Sequence, residues 1–198
     1  IVSDIGWTKD ITVKDQEFVE KIIPKNVGLK GIITGPWTLV NSCQDMYYED
    51  RMEAAWAAAE ALKKEAGSLA GVCDVIQLDE PFLSNEFPDG AGELVETVLD
   101  VNKTTALHVC GRVEDVVDKI VEIDVDILDH EFAANPGLFD EYSDLDIEQR
   151  MAVGVVTTEK EVETVSKIVG RIERGVDVFG PDIMVDPDCG LRHLDKGS

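Results

Sequence analysis

The stretch Ala106 to Val116, "ALHVCGRVEDV", sets His108 and Cys110 two residues apart at the end of an apolar run and directly before a glycine. Residues i and i+2 of a β-strand project from the same face, so an imidazole and a thiol would point the same way. Two more residues of ligand type end later apolar runs, Glu131 in "VDILDHE" and Cys189 in "DIMVDPDCG". One imidazole, two thiols and a carboxylate form a donor set whose softness and number suit zinc. Four protein ligands would close a tetrahedral site, whereas a catalytic zinc must keep or create an open position. The carboxylate of Glu131 is therefore the expected exchangeable ligand, ahead of either thiolate. Asp79 and Glu80, in "VIQLDEP", end another apolar run and join the candidates.

The other residues of these types are given structural readings. Cys73 precedes a strand and has no partner nearby in sequence, so it is read as a small buried hydrophobe. Cys43 follows a strand end, from which it could line the pocket, and is assigned a packing role ahead of that. His130 alternates to the face opposite Glu131 and belongs to the core or behind the ligands. His193 falls in the terminal loop and is expected to be solvated.

The elements that must position these groups follow one repeating pattern: a short run rich in Val and Ile, a polar or glycine turn, then a longer amphipathic stretch. The runs are "LKGIITGP", "CDVIQLDEP", "TTALHVCG", "VDILDHE", "RMAVGVV" and "DIMVDPDCG". Helices are expected at "YEDRMEAAWAAAEALKKEAGSLAG", where Met52, Trp56, Ala59, Leu62 and Lys63 follow a period near 3.6, and over 93–101, 113–123 and 159–174. Strands apolar on both faces that alternate with helices predict a parallel sheet covered on both sides. A doubly wound open sheet and a (β/α)8 barrel both have that alternation. Nearly every unit carries its unusual residues at the C-terminal end of its strand, and only a barrel gathers all such ends at one mouth. No Gly-x-Gly-x-x-Gly loop follows any run, which argues against nucleotide binding.

Composition narrows the partners. The 198 residues are 44% hydrophobic and 6% aromatic, which suits a globular domain, and no apolar run nears the roughly 18 residues of a membrane span. "IVSDIGW" lacks the basic start of a signal peptide. Lys and Arg number 18 against 41 Asp and Glu, a net charge of −23, so a nucleic-acid backbone would be repelled. The acidity is read as a solvated surface suited to high salt rather than a docking face for a basic partner. Four cysteines without the close spacing of a disulfide scaffold point to a cytoplasmic chain with packed, catalytic or metal-bound thiols.

The phrases "GIITGPWTL", "IQLDEPFLS", "LHVCG" and "DPDCGLR", in this order and at these strand ends, resemble the catalytic barrel of cobalamin-independent methionine synthases, in particular its short, single-barrel, folate-independent archaeal-type branch. The resemblance runs from about Val27 onward. It implies that His108, Cys110, Glu131 and Cys189 ligate zinc, and that Asp79, with Glu80 beside it, binds homocysteine through the amino group, the product being methionine. Three departures stand out. Ser42 occupies the place of the family's pterin-stacking tryptophan, with Trp37 displaced toward the strand, and Asn85 replaces a glutamate after "DEP". Both losses predict methylcobalamin or a methyl-corrinoid protein as donor. Thr157 and Thr158 replace an acidic residue after "GVV", where a proton relay would sit.

The expected fold is thus an α/β chain, residues 1–198, forming one TIM-barrel domain that is incomplete. It has about six βα units, with the first two missing and a last helix beyond Ser198. Two other functions share these residues: a corrinoid-dependent methyltransferase acting on another thiol such as coenzyme M, and a non-catalytic metal-binding relative. Glu131 and the "DPDCGL" context favour homocysteine.

Overall fold

The computed structural model of the protein describes residues 1–158 and 162–191. Six strands form the frame of this described part: β1 (Lys30–Thr34), β2 (Val75–Asp79), β3 (Thr104–His108), β4 (Ile127–His130), β5 (Arg150–Val156) and β6 (Met184–Pro187). Each of the six apolar runs supplies one. All neighbouring pairs are parallel, and the spatial order is the chain order, β1-β2-β3-β4-β5-β6. A doubly wound sheet reverses its order at a switch point, whereas an unreversed order winds steadily around an axis. The sheet accordingly curls into a half-barrel, an incomplete (β/α)8 architecture.

Among the described residues seven α-helices accompany the strands: α1 (Val13–Glu20), α2 (Pro36–Asn41), α3 (Arg51–Leu69), α4 (Ala91–Val98), α5 (Val117–Ile120), α6 (Leu138–Ser143) and α7 (Val165–Phe179). The longest, α3, starts where the Asp50 side chain accepts the Met52 N–H at 3.1 Å, a standard N-cap. Its buried face is Ala54, Ala55, Ala58, Ala59, Leu62, Ala66 and Leu69. The stripe read through Met52, Trp56 and Lys63 is out of phase with this, and Trp56 is 39% exposed. Small alanines, which carry little hydrophobic signal, are what let α3 pack closely on α2 and α4. The helix expected over 113–123 shrinks to the four residues of α5. Val113, Val116, Val117, Ile120 and Ile123 are all buried, but β-branched side chains lose rotamer freedom in a helix, so burial is met here mostly by turns. The helix expected from residue 159 begins at Val165, and residues 159–161 lie outside the described range. Among the described residues no helix is long and apolar enough to cross a membrane.

The concave face of the sheet is divided. One part is apolar, with Ala106, Ile127 and Ala152 buried against Val75 and Met184. The rest carries Gln77, Asp79, His108, Asp129 and Asp186, with Lys30 reaching in from the start of β1, joined by contacts described below. Barrel interiors are ordinarily filled by branched apolar side chains, so this polar layer marks where the fold has been turned to chemistry.

Candidate metal centre

His108 ends β3, Cys110 follows two residues on, and Cys189 lies two residues past the end of β6. The structure brings one ligand atom of each within 4.8 Å of the others. A tetrahedral zinc with Zn–S bonds of about 2.3 Å and Zn–N bonds of about 2.0 Å has ligand–ligand edges of about 3.5–3.8 Å, so closing on an ion takes only a small contraction. His108 is 6% exposed and the two cysteines are half-buried at the rim. Gly111, at φ 90°, turns the chain directly after Cys110, a conformation that side-chain-bearing residues rarely adopt.

Glu131, expected as the fourth ligand, lies outside this mutually close set. Its Oε2 accepts the Gly111 N–H at 2.7 Å, one residue from Cys110. The carboxylate is near enough to Cys189 to act on its thiol electrostatically. The loops carrying the two groups are braced further by Asn135, whose Nδ2 donates to the Gly111 carbonyl at 3.1 Å.

The local field favours positive charge. A hydrogen bond with His108 leads the influences that lower the Cys189 thiol, outweighing burial. Burial alone would push the His108 imidazole down, yet Asp129, Cys110 and Cys189 together hold it raised. A pocket that stabilises a proton on an imidazole between two thiols is equally suited to a cation held by the same three groups. The donor chemistry therefore fits zinc, with His108, Cys110 and Cys189 as the residues that would hold it.

Asp79 ends β2 on the same face. Its Oδ1 accepts from Gln77 Nε2 at 2.8 Å, and Oδ2 has no protein partner among the described residues. Burial raises its pKa, opposed by the Gln77 hydrogen bond and by His108. Glu80, expected beside it at the substrate, is turned the other way. It is 0% exposed, and its carboxylate accepts the Trp37 N–H at 2.8 Å, the Thr38 N–H at 2.8 Å and the Thr38 hydroxyl at 2.6 Å. These are the first-turn donors of α2, so Glu80 stitches that helix to β2 and has no oxygen left for a ligand. The alternation of a strand puts consecutive residues on opposite faces, and only Asp79 gets the inner one.

Glu80 carries a testable consequence. Burial, which outweighs its hydrogen bonds, pushes its carboxyl from 4.5 up to about 6. Between those values the folded state holds more protons than the unfolded one, so this group's contribution falls as pH rises through the window. The loss is about 2 kcal/mol and is complete above pH 6. Urea unfolding from pH 4.5 to 7 should show that slope in the parent protein and its disappearance in Glu80→Gln; parallel pH curves would contradict the assignment.

Several residues take places that only the structure reveals. His130 is fully buried, as expected, with Nδ1 on the Val109 carbonyl at 2.8 Å and Nε2 on the Tyr142 hydroxyl at 2.7 Å; burial lowers its pKa to about 4. Asp188, beside Cys189, is 1% exposed and accepts the N–H groups of Ala133 and Ala134 at 3.0 and 2.8 Å, tying the Cys189 loop to the Glu131 loop. Gly154 makes room for it, since a Cβ there would come within 2.7 Å of the His130 carbonyl oxygen and 2.9 Å of the Asp188 Cα. Asp188 sits inside the "PDCG" phrase, but nothing local in that phrase shows which amides it accepts. Cys73 is in the core as expected, whereas Cys43 is exposed rather than packed. Trp37 is 4% exposed, so its ring presents no face to a ligand, and Ser42 is merely the C-cap of α2. The Thr157 N–H donates to Glu163 at 3.0 Å. Paired with Arg171, Glu163 is held down at about 2 and stays ionised, which unfits it to relay a proton. His193 lies outside the described residues.

A parallel half-barrel with an imidazole and two thiols converging on its C-terminal rim defines a (β/α)8-type protein with a candidate soft-metal site at the mouth. The chain belongs to the family described as "Cobalamin-independent synthase, Catalytic domain", whose model matches residues 1–197. It is 36% identical to the methionine synthase of Methanocaldococcus jannaschii, over 98% of this chain and 69% of that protein. It is 31% identical to the 5-methyltetrahydropteroyltriglutamate–homocysteine methyltransferase of Bacillus licheniformis, over 97% of this chain and 27% of the other. Among solved structures, a B12-independent methionine synthase from Shewanella sp. W3-18-1 in complex with selenomethionine matches the fold with a TM-score of 0.82 at 22% identity, over 95% of this chain and 62% of that one. The chain thus spans from 27% to 69% of the length of these proteins. The family description and the donor named for the Bacillus relative run against the corrinoid donor expected from Ser42 and Asn85. The physical reason is that a flat ring can be stacked from any element lining a barrel mouth, so one missing tryptophan does not select a donor.

Proposed function

We propose that this chain forms the thiol-activating part of a zinc-dependent homocysteine S-methyltransferase that makes methionine, using a donor of the methyltetrahydropteroyl class. The observation that carries this reading is the meeting of His108, Cys110 and Cys189 within 4.8 Å at the rim. When bound, zinc would supply the Lewis acidity that keeps a substrate thiol ionised at neutral pH, where a free thiol with pKa about 8.5 is mostly protonated.

This chain's own residues supply the rest. Asp79 offers Oδ2 to the ammonium of the amino acid, a charge-assisted contact that orients the sulfur toward the thiol pair. Glu131 would be the exchangeable fourth ligand. The Gly111 N–H holds its carboxylate beside the Cys110 turn, where it would serve as a proton acceptor for the substrate thiol. Asp188 and Asn135 keep the loops carrying Cys110, Glu131 and Cys189 in register.

Methyl transfer by the purified protein tests the reading, with methyltetrahydropteroyl-glutamate and methylcobalamin as alternative donors and homocysteine and coenzyme M as alternative acceptors. Methionine should form from the pteroyl donor, disappear on chelation and return with zinc. Transfer to coenzyme M in preference to homocysteine, or from methylcobalamin alone, would overturn the assigned substrates. No transfer by zinc-loaded protein from either donor would overturn the activity.

A further inference from the structure

We infer that Asp129 is a positioning residue for the metal centre, holding the His108 imidazole in the Nδ1–H tautomer so that Nε2 is the nitrogen presented to the ion. The inference rests on the metal reading above and adds a residue to it. Register provides the first support: the β3–β4 ladder pairs His108 with Asp129, so both side chains stand on the concave face. Asp129 Oδ1 lies 3.2 Å from His108 Nδ1, with the two side chains only 5% and 8% exposed. The two atoms face each other without hydrogen-bond geometry, and neither has a hydrogen-bond partner among the described residues.

An imidazole that ligates through one nitrogen is neutral and carries its proton on the other. Buried as His108 is, that N–H needs an acceptor, and the only group within reach of Nδ1 among the described contacts is Asp129. The carboxylate is itself held from behind. Its Oδ2 is 3.9 Å from Lys30 Nζ, and the same ammonium donates to Gln77 Oε1 at 2.6 Å and stands 4.0 Å from Asp186 Oδ2. Lys30 therefore reaches from β1 across the concave face and stands behind Asp129 on the side away from His108 Nδ1. Asp186 shares this cation without an observed contact to His108, which makes it the natural control for charge as opposed to contact.

The test is zinc competition against a chromophoric chelator, with nitrogen-15 NMR of labelled histidine on the same samples. Asp129→Leu should weaken zinc binding roughly 10–100-fold, the usual cost of losing a partner behind a ligating histidine. Asp129→Asn, which keeps an acceptor oxygen, and Asp186→Asn, which removes a charge from the same cluster, should both stay near the parent affinity. The parent spectrum should show His108 protonated at Nδ1 when zinc is bound, a readout that needs no variant to fold. Equal zinc affinity in the parent and Asp129→Leu, an Nε2–H signal in the parent, or a loss in Asp186→Asn as large as in Asp129→Leu would each overturn the role of Asp129 while leaving the metal centre intact. A parent protein that binds no zinc would overturn both.

Discussion

Replacing Cys189 by serine is expected to lower zinc affinity by more than the roughly 10–100-fold that loss of an outer partner costs, and to abolish methyl transfer to homocysteine. Cys189 is one of three groups whose ligand atoms meet at the rim, and the interaction with His108 already biases its thiol toward the thiolate. A hydroxyl is harder and far less acidic, so it replaces neither the charge nor the softness that zinc draws on. Metal content after dialysis against a chelator, measured beside activity, checks this. Cys43→Ser and Cys73→Ser are the controls, one exposed and one in the core, both outside the ligand set. Stoichiometric zinc in Cys189→Ser, or metal loss in Cys43→Ser, would move the centre elsewhere.

Asp79→Asn should raise the KM for homocysteine about ten- to a hundredfold, the range set by losing a hydrogen bond to a charged group worth about 1.5–3 kcal/mol, with zinc content unchanged. The geometry is specific: Gln77 occupies Oδ1 and leaves Oδ2 for an ammonium on the face that carries His108. In the asparagine variant the Gln77 contact can persist, so strand and fold are preserved while the negative charge is lost. Unchanged KM, or loss of metal from the variant, would assign Asp79 a structural role instead. The contrast with Glu80 is informative, because its neighbouring carboxylate is consumed by the first turn of α2. Two adjacent acids in "LDEP" thus do different work, one toward the mouth and one toward the helix layer.

The three groups that meet at the rim are legible in the sequence as candidates because each ends a continuous apolar run, while Glu131, expected with them, stays outside the close set. In a parallel sheet buried on both faces, such a run can hardly be anything but a strand, and its polar terminus then belongs at the mouth. The phase of α3 is not legible. Its buried stripe is mostly alanine, and the larger Met52 and Trp56 outweigh it in any hydrophobic pattern although Trp56 faces outward at 39% exposure. The corrinoid donor expected from Ser42 and Asn85 runs against the family description and the donor named for the Bacillus relative, and these two are single positions in a mouth that several elements line.

What the amino-acid order determined alone is local: six strands, their alternation with helices, and three side chains of ligand type at strand ends. Asp129 and Lys30 belong to the tertiary structure. In "VDILDHE" an aspartate before His130 looks like ordinary alternation, and Lys30 looks like the polar start of a strand. Only the pairing of β3 with β4 puts Asp129 against His108, and only the curl of the sheet brings Lys30 from β1 to within 4.0 Å of Asp186 on β6. Periodicity is a property of neighbours along the chain, whereas a shared polar layer depends on the register of strands that the chain separates by tens of residues.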